Sequence, residues 1–198
     1  MRRRTFDALV SAAGLLLVAV LVIAGVLLTW GHSYANNQVT SQLAAQKIVF
    51  PTKANAEFKA LPKADQAAMA PYAGQPMTTG AQANAYANHF IAVHLREIGG
   101  GKTYSQLSAE SLAQPTNAAL AAQVATVFKG TTLRSMLLEA YGFWTMGQIA
   151  LIGAIVSYAA AGLMLILSLF GFVHLARTAP EREILPRVAA HRVPATTA

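Results

Sequence analysis

The chain has 198 residues, of which 55% are hydrophobic and only 12% are charged. A soluble domain carries about 25% charged residues, so the composition argues against a wholly soluble protein. The formal net charge is +7, but the basic residues form no single patch, which argues against nucleic-acid binding. The chain has no cysteine, which excludes disulfides, thiolate metal sites and a thiol nucleophile.

Two charge-free runs dominate the sequence, Ala8–Gly31 and Tyr141–Ala176. About 20 apolar residues cross a bilayer core as a helix, because the backbone must satisfy its own hydrogen bonds there. We therefore predict an all-α membrane protein: a two-helix transmembrane hairpin with a small helical extracytoplasmic domain. The predicted segments are a cytoplasmic N-terminus (1–7), a first span (8–30), the domain (31–143), a second span (144–174) and a disordered cytoplasmic tail (175–198).

The arginines at the two ends of the chain predict its orientation in the cell membrane. Basic residues that flank a span stay in the cytoplasm, so both termini are expected there and the middle domain outside. A cleaved signal peptide, cut after Ala35, is the alternative; the first apolar run is longer than the about 7–15 residues of a typical signal core. The residues expected at the membrane interface are Arg2, Arg3, Arg4, Trp30, Trp144 and Arg177.

The first half of the middle segment shows helix signals and no convincing strand. His32–Ile48 has no Pro or Gly, so we expect it to continue the first span as a helix until Pro51 stops it. Lys63–Ala70 is a short helical patch within a stretch marked by prolines.

Two capping boxes and a glycine run mark the helices that follow. Thr79 with Gln82, and Thr103 with Gln106, have the spacing in which a hydroxyl and an amide satisfy each other's free backbone groups. Gly99–Gly101 is expected to stop the helix between them.

The last part of the middle segment leads into the second span. We expect a helix to start at Pro115, to break at Gly130 and to resume from Leu133 into the span. Within the span, Gly153, Ser157 and Ala161 are small residues four apart, which lets another helix approach closely. The first span is the expected partner; oligomerisation is the alternative.

The run Gly99-Gly100-Gly101-Lys102-Thr103 ends like a phosphate-binding loop. The full pattern needs a further glycine where this chain has Arg96, and no strand precedes the run. A helix stop with a flexible hinge is therefore the expected role.

Neither a metal site nor a catalytic site is predicted. His89 and His94 are five apart, about 140° apart around an α-helix, whereas zinc sites need three or four converging ligands. His94 could instead pair with Glu97. The carboxylates of the middle segment include no close pair, so no catalytic residue and no cofactor is predicted. Tyr86, Phe90 and His94 are the candidates for a small-ligand pocket.

Three stretches carry a resemblance: MRRRTFDALVSAAG at the start, QLAAQKIVFP (42–51) and TTGAQANAYANHFIAVHLREIGGGKTYSQLSA (78–109). They resemble an uncharacterised actinobacterial family of membrane proteins with two spans. The resemblance implies the two-span topology and a bacterial source, and it implies no activity or binding residue.

These observations predict a non-catalytic accessory or scaffold protein. Its expected partners are the lipid bilayer and another membrane protein, bound through the outer domain or the hairpin, or further copies of itself. The first alternative is an extracytoplasmic sensor of a small ligand that signals through a partner, since the cytoplasmic tail is too short to hold an effector domain. An extracytoplasmic enzyme or metal protein is the third possibility, against which the dispersed His and carboxylate residues argue.

Overall fold

The computed structural model of the protein describes residues 3–177, with side chains from residue 5 onward. The helices in this part of the chain are α1 (Arg3–Ala45), α2 (Ala56–Ala60), α3 (Lys63–Met69), α4 (Gly80–Tyr86), α5 (Ala92–Ile98), α6 (Tyr104–Ala113) and α7 (Ala118–Arg177). A 3₁₀ turn at Ala70–Tyr72 follows α3, and a π-helical turn at Ala87–Ile91 joins α4 to α5. The β structure among the described residues is one isolated bridge, between Val49 and Pro76. The all-α prediction is therefore confirmed for these residues.

The chain divides into two compact units. The first, which we call the two-helix unit, comprises Met1–Leu27 and Gly153–Ala198, and the second, the central unit, comprises Leu28–Ile152. The predicted disordered tail lies, from residue 178 onward, outside the described residues.

Two helices in the described part of the chain are long and apolar enough to cross a membrane, α1 and α7. At 1.5 Å per residue, their 43 and 60 residues give lengths of about 65 Å and 90 Å. Only 17% and 11% of their most apolar windows are buried, unlike the core helix of a soluble protein. The exposed apolar residues are of the kind that lipid covers.

Small residues pack the helices of the two-helix unit. Ser11 lies against Gly171, and Ser168 lies against Gly14, so a Cβ at either glycine would overlap the opposing hydroxyl. The two serines are 4% and 5% exposed. Because Ser11 meets the later glycine of α7 while Gly14 meets the earlier serine, the two segments run antiparallel.

A charge pair lies at one end of this unit. Asp7 Oδ2 is 4.0 Å from His174 Nε2, and the Asp7 side chain is 19% exposed. Asp7 lies near the start of α1 and His174 near the end of α7, so the start of one helix lies beside the end of the other. The pair therefore supports the same antiparallel arrangement.

Paired cysteines test this helix packing, because the chain has no native cysteine. A Cβ at Gly171 would lie 3.4 Å from Ser11 Cβ, close to the about 3.5–4.5 Å of a disulfide. We expect Ser11→Cys with Gly171→Cys to form an intramolecular disulfide on mild oxidation. With a protease site engineered at residues 114–117, the cleaved halves should stay joined on a non-reducing gel and separate on reduction.

The matched control is Ser11→Cys with Gly162→Cys. A Cβ at Gly162 meets nothing within 4 Å, so this pair should remain reduced. Cross-links between two chains, with none within a chain, would contradict the pairing of α1 with α7.

The central unit has its own hydrophobic core, in which Phe50 is 1% exposed. Phe50 sits in an extended segment whose backbone is hydrogen-bonded to residues 74–77: Phe50 N–H donates to Gln75 O at 2.9 Å, and Met77 N–H donates to Ile48 O at 2.8 Å. The buried core residues of this unit are Val39, Leu43, Phe50, Phe58, Leu61, Met69, Met77, Ala83, Ala85, Ala87, Val93 and Leu137. The core thus joins residues from α1, the short helices and α7.

The local helix signals are largely confirmed. Both capping boxes are formed, Thr79 with Gln82 and Thr103 with Gln106. The helix stop at Gly99–Gly101 is also present, with positive φ at its last two residues (58° and 79°). The first helix ends at Ala45 and not near Ile48, because the chain turns through a left-handed residue at Lys47 (φ 53°).

The predicted break at Gly130 is wrong. Gly130 lies inside α7, and a Cβ there would come within 2.5 Å of Leu95 Cδ2. The glycine admits the Leu95 side chain, and this packing offsets the about 1 kcal/mol that glycine costs in a helix. The helix starts after Asn117, whose Oδ1 accepts from Leu120 N–H at 3.0 Å, so Pro115 precedes the helix and does not begin it.

Candidate functional site

The largest cavity described in the central unit is a groove between the end of α1 and the middle of α7, which we call the α1–α7 groove. Its volume is about 650 Å³. Residues 34–48 form one side and residues 133–143 the other. The lining residues are Tyr34, Ala35, Gln38, Val39, Gln42, Leu43, Gln46, Ile48, Leu133, Met136, Leu137, Glu139, Ala140 and Phe143.

The floor of the groove belongs to the hydrophobic core. Val39, Leu43 and Leu137 line it and are only 4–6% exposed. Val39 and Leu43 lie about one turn apart on the inner face of α1, and Leu137 lies on the face of α7 opposite them. The floor is therefore held rigidly by the packing that stabilises the unit.

The walls of the groove are apolar and accessible. Met136 is 61% exposed, Leu133 54% and Phe143 51% on the α7 side, while Tyr34 is 57% exposed on the α1 side. Tyr34 is also stacked against Trp30, with ring centroids 5.7 Å apart. An exposed apolar patch bordered by polar groups marks a binding surface more often than chance.

A ladder of amides follows the α1 side. Gln38, Gln42 and Gln46 recur every four residues and line the groove, the first two from α1 and the third from the turn after it. Each amide can both donate and accept a hydrogen bond. Across the groove, Glu139 is the one ionisable side chain in the lining other than the Tyr34 phenol. The groove therefore offers apolar contact, neutral hydrogen bonding and a single negative charge.

The three residues predicted as a ligand pocket are brought together, but as a stack along one helix. The ring centroids of Tyr86 and Phe90 are 4.8 Å apart, and those of Phe90 and His94 are 4.4 Å apart. Tyr86 also packs edge-on against Phe50 at 5.2 Å. The stack covers the core and lines neither of the two cavities described here, so a ligand role for it stays a prediction.

The histidines of this region have partners that sequence spacing did not suggest. His89 Nδ1 lies 2.7 Å from Asp65 Oδ1, and His94 Nδ1 donates to Phe90 O at 2.8 Å. His94 forms no ion pair with Glu97 in the described part of the chain. His89 lies within the π-helical turn at Ala87–Ile91 and His94 lies after it. The angle of 140° expected between them on a regular α-helix therefore does not apply.

Between residues 3 and 177, no group of three or more His, Cys, Asp or Glu side chains is arranged to hold a metal ion. The Asp65–His89 pair stands alone on α3 and the π-helical turn. Its chemistry is that of a hydrogen-bonded carboxylate and imidazole, which orients both side chains.

The predicted helix-packing residues differ in burial. Ala161 is 4% exposed, while Gly153 and Ser157 are partly buried. The buried positions of this part of α7 are Ala154, Ala161 and Ser168, which recur every seven residues. This spacing is typical of two helices packed along their length, and it shares only Ala161 with the predicted set of small residues four apart.

The predicted membrane-interface residues have different environments. Trp30 is 67% exposed, whereas Trp144 is half-buried and lies against Gly80, where a Cβ would overlap the Trp144 side chain. Trp144 therefore contributes to the packing of the central unit. Arg177 is the last residue of α7. Arg2 and the side chains of Arg3 and Arg4 lie outside what the structure describes.

The chain matches no protein-family model, no curated protein and no solved structure. The resemblance to an actinobacterial two-span family therefore stays a prediction, and the function must be argued from the geometry.

The partly buried Tyr86 of the aromatic stack predicts how stability depends on alkaline pH. Burial, and to a lesser degree the Glu57 carboxylate, raises the pKa of Tyr86 above its ordinary value of 10.0. The unfolded chain then releases the phenolic proton at a lower pH than the folded chain does, so stability is lost as pH rises above about 10. We expect Tyr86→Phe to reduce this loss, measured as the thermal midpoint of the full-length protein in detergent between pH 8 and 11. Parallel curves for the two proteins over this range would contradict the assignment.

Proposed function

We propose that the protein is a non-catalytic, two-pass membrane accessory protein that binds another membrane protein through the α1–α7 groove. The observation that carries the proposal is the groove itself: exposed apolar walls on a floor that is part of the hydrophobic core. Water-exposed Leu133, Met136 and Phe143 are unfavourable in isolation, and a partner that covers them gains about 25 cal/mol per Å² of apolar area buried.

The occupant that fits this shape is an apolar helix of the partner. The α1 side of the groove begins at Tyr34 and is helical as far as Ala45, which is about 17 Å of helix at 1.5 Å per residue. Three turns of a partner helix would match this length, with side chains at positions i, i+4 and i+8 reaching the floor. The glutamine ladder would then border the helix with neutral hydrogen-bonding groups.

Charge complementarity specifies the occupant further. Glu139 is exposed at the rim of the groove, and a rim charge sets partner choice more than affinity. We therefore propose that the partner helix carries a Lys or Arg that faces Glu139. A second copy of this chain is a less suitable occupant, because the walls that would meet each other are both apolar and both bear Glu139.

The second candidate function is the sensing of a small apolar ligand. A volume of about 650 Å³ lies within the about 300–1,000 Å³ of small-molecule sites. The groove is long and open at its walls, which favours the helix, and the experiment below separates the two candidates.

Groove variants test the proposed function. We expect a mild-detergent pull-down of the tagged full-length protein to recover one stoichiometric membrane-protein partner. Met136→Lys and Glu139→Lys should each abolish the recovery of this partner. Met136→Lys places a charge on the apolar wall, and Glu139→Lys opposes the partner's basic residue. Leu112→Lys is the matched control, because Leu112 is 81% exposed and lies outside the groove.

A photo-crosslinker at position 136 identifies the occupant. We expect it to label an apolar helix of the partner that contains a Lys or Arg. A partner retained by both groove variants would refute the binding surface, and a chain that purifies alone with a co-purifying small apolar molecule would favour the sensor.

The proposed orientation places both termini in the cytoplasm and the central unit outside the cell. Its support is the arginine bias of the chain ends together with two helices that could cross a membrane. Basic residues close to a span are the strongest determinant of its direction.

Cysteine labelling tests this orientation, because the parent chain has no cysteine. A membrane-impermeant maleimide added to intact cells should label Gln114→Cys, in the exposed loop before α7, and should leave Thr196→Cys unlabelled until the cells are lysed. The reverse pattern would invert the proposed topology, and labelling of both on intact cells would exclude a two-pass chain.

A further inference from the structure

A second cavity of the central unit is lined by three cationic side chains. It has a volume of about 370 Å³ and lies where the glycine run after α5 meets α6 and the first part of α7. Its cations are Arg96, Lys102 and Arg134, and its other lining residues are Leu95, Gly101, Thr103, Tyr104, Ser105, Val127 and Thr131. We call it the basic cavity.

Arg134 is held in place by neutral groups. Its Nε donates to Ala87 O at 3.3 Å and its Nη2 donates to Asn88 Oδ1 at 2.7 Å. The residue is partly buried, and these contacts fix the guanidinium without neutralising it. A partly buried cation with no counter-ion is costly unless an anion accompanies it.

The other two cations add to this charge. Arg96 is exposed and, like Arg134, forms no ion pair among residues 3–177. Lys102 Nζ is 2.7 Å from Glu110 Oε1, so its charge is balanced by a carboxylate outside the lining. Within the described part of the chain, two of the three cations in the cavity therefore have no partner of opposite charge.

The loop itself is not a phosphate-binding loop of the nucleotide-binding type, because Arg96 replaces a required glycine. In the folded chain, Arg96 lines the basic cavity instead. The Thr103 hydroxyl is engaged in its capping box with Gln106, but Ser105 and Thr131 also line the cavity. Hydroxyls beside guanidinium groups suit the oxygens of a phosphate, which accepts several charge-assisted hydrogen bonds.

We propose that the basic cavity binds a small phosphate-bearing anion, with Arg96 and Arg134 as its principal ligands. Its volume of about 370 Å³ admits a phosphate group with a small organic substituent. The site is separate from the α1–α7 groove, with which it shares no lining residue. It extends the function beyond protein binding, and neither proposal depends on the other.

Titration calorimetry of the full-length protein in a neutral detergent tests this site. The probes are inorganic phosphate, at constant ionic strength set with NaCl, and water-soluble dihexanoyl phosphatidylglycerol. We expect saturable binding that Arg96→Gln weakens by about tenfold, the loss of one charge-assisted interaction. Lys129→Gln is the matched control: it removes an equal charge from an exposed position on α7 outside the cavity and should leave the Kd within about twofold.

The two probes distinguish the sources of the anion. Arg96-dependent binding of phosphate identifies a free phosphate compound, whereas Arg96-dependent binding of the lipid alone identifies a lipid headgroup. Arg134→Lys, which keeps the charge, should retain more affinity than Arg134→Gln. No saturable binding of either probe, or equal losses in Arg96→Gln and Lys129→Gln, would overturn the proposal.

Discussion

The central unit depends on the burial of Phe50. The residues that directly follow α1 are not helical, and Phe50 holds them in place. Its ring is buried, with Phe50 only 1% exposed, and its backbone is hydrogen-bonded to Gln75 and Gly74. The ring contacts Tyr72 and Tyr86, which bring the 3₁₀ turn and α4 onto the same core. Val39, Leu43 and Leu137 belong to that core and also form the floor of the α1–α7 groove. The floor of the groove is therefore fixed by the same packing that holds the core.

What could be predicted from the sequence was local. The two capping boxes and the glycine stop involve residues within four positions of each other, so their spacing alone specifies the contacts. Gly130 was mispredicted because the side chain that decides its environment, Leu95, lies on another helix. Propensity disfavours glycine in a helix, and tertiary packing overrode that preference.

Each candidate site is formed by segments that are distant from each other in the sequence, so neither site could be predicted from local patterns. The groove joins residues 34–48 to residues 133–143, and no pattern within either stretch reveals the other. The available sequence signals were the glutamines at positions 38, 42 and 46, four apart, and the apolar residues Leu133, Met136 and Phe143. The basic cavity cannot be predicted from the sequence for a related reason: Arg96 and Lys102 belong to an incomplete phosphate-loop pattern, and Arg134 joins them only in the folded chain.

The π-helical turn at Ala87–Ile91 makes the fold sensitive to the number of residues in this segment. A π turn accommodates one residue more than the α-helix around it, and each residue of an α-helix accounts for about 100° of rotation. Loss of a single residue there would restore a regular helix and turn α5 by about that angle. Val93 would leave the core and Arg96 would leave the basic cavity together. A change of length in this segment would therefore disturb the core and the basic cavity at once.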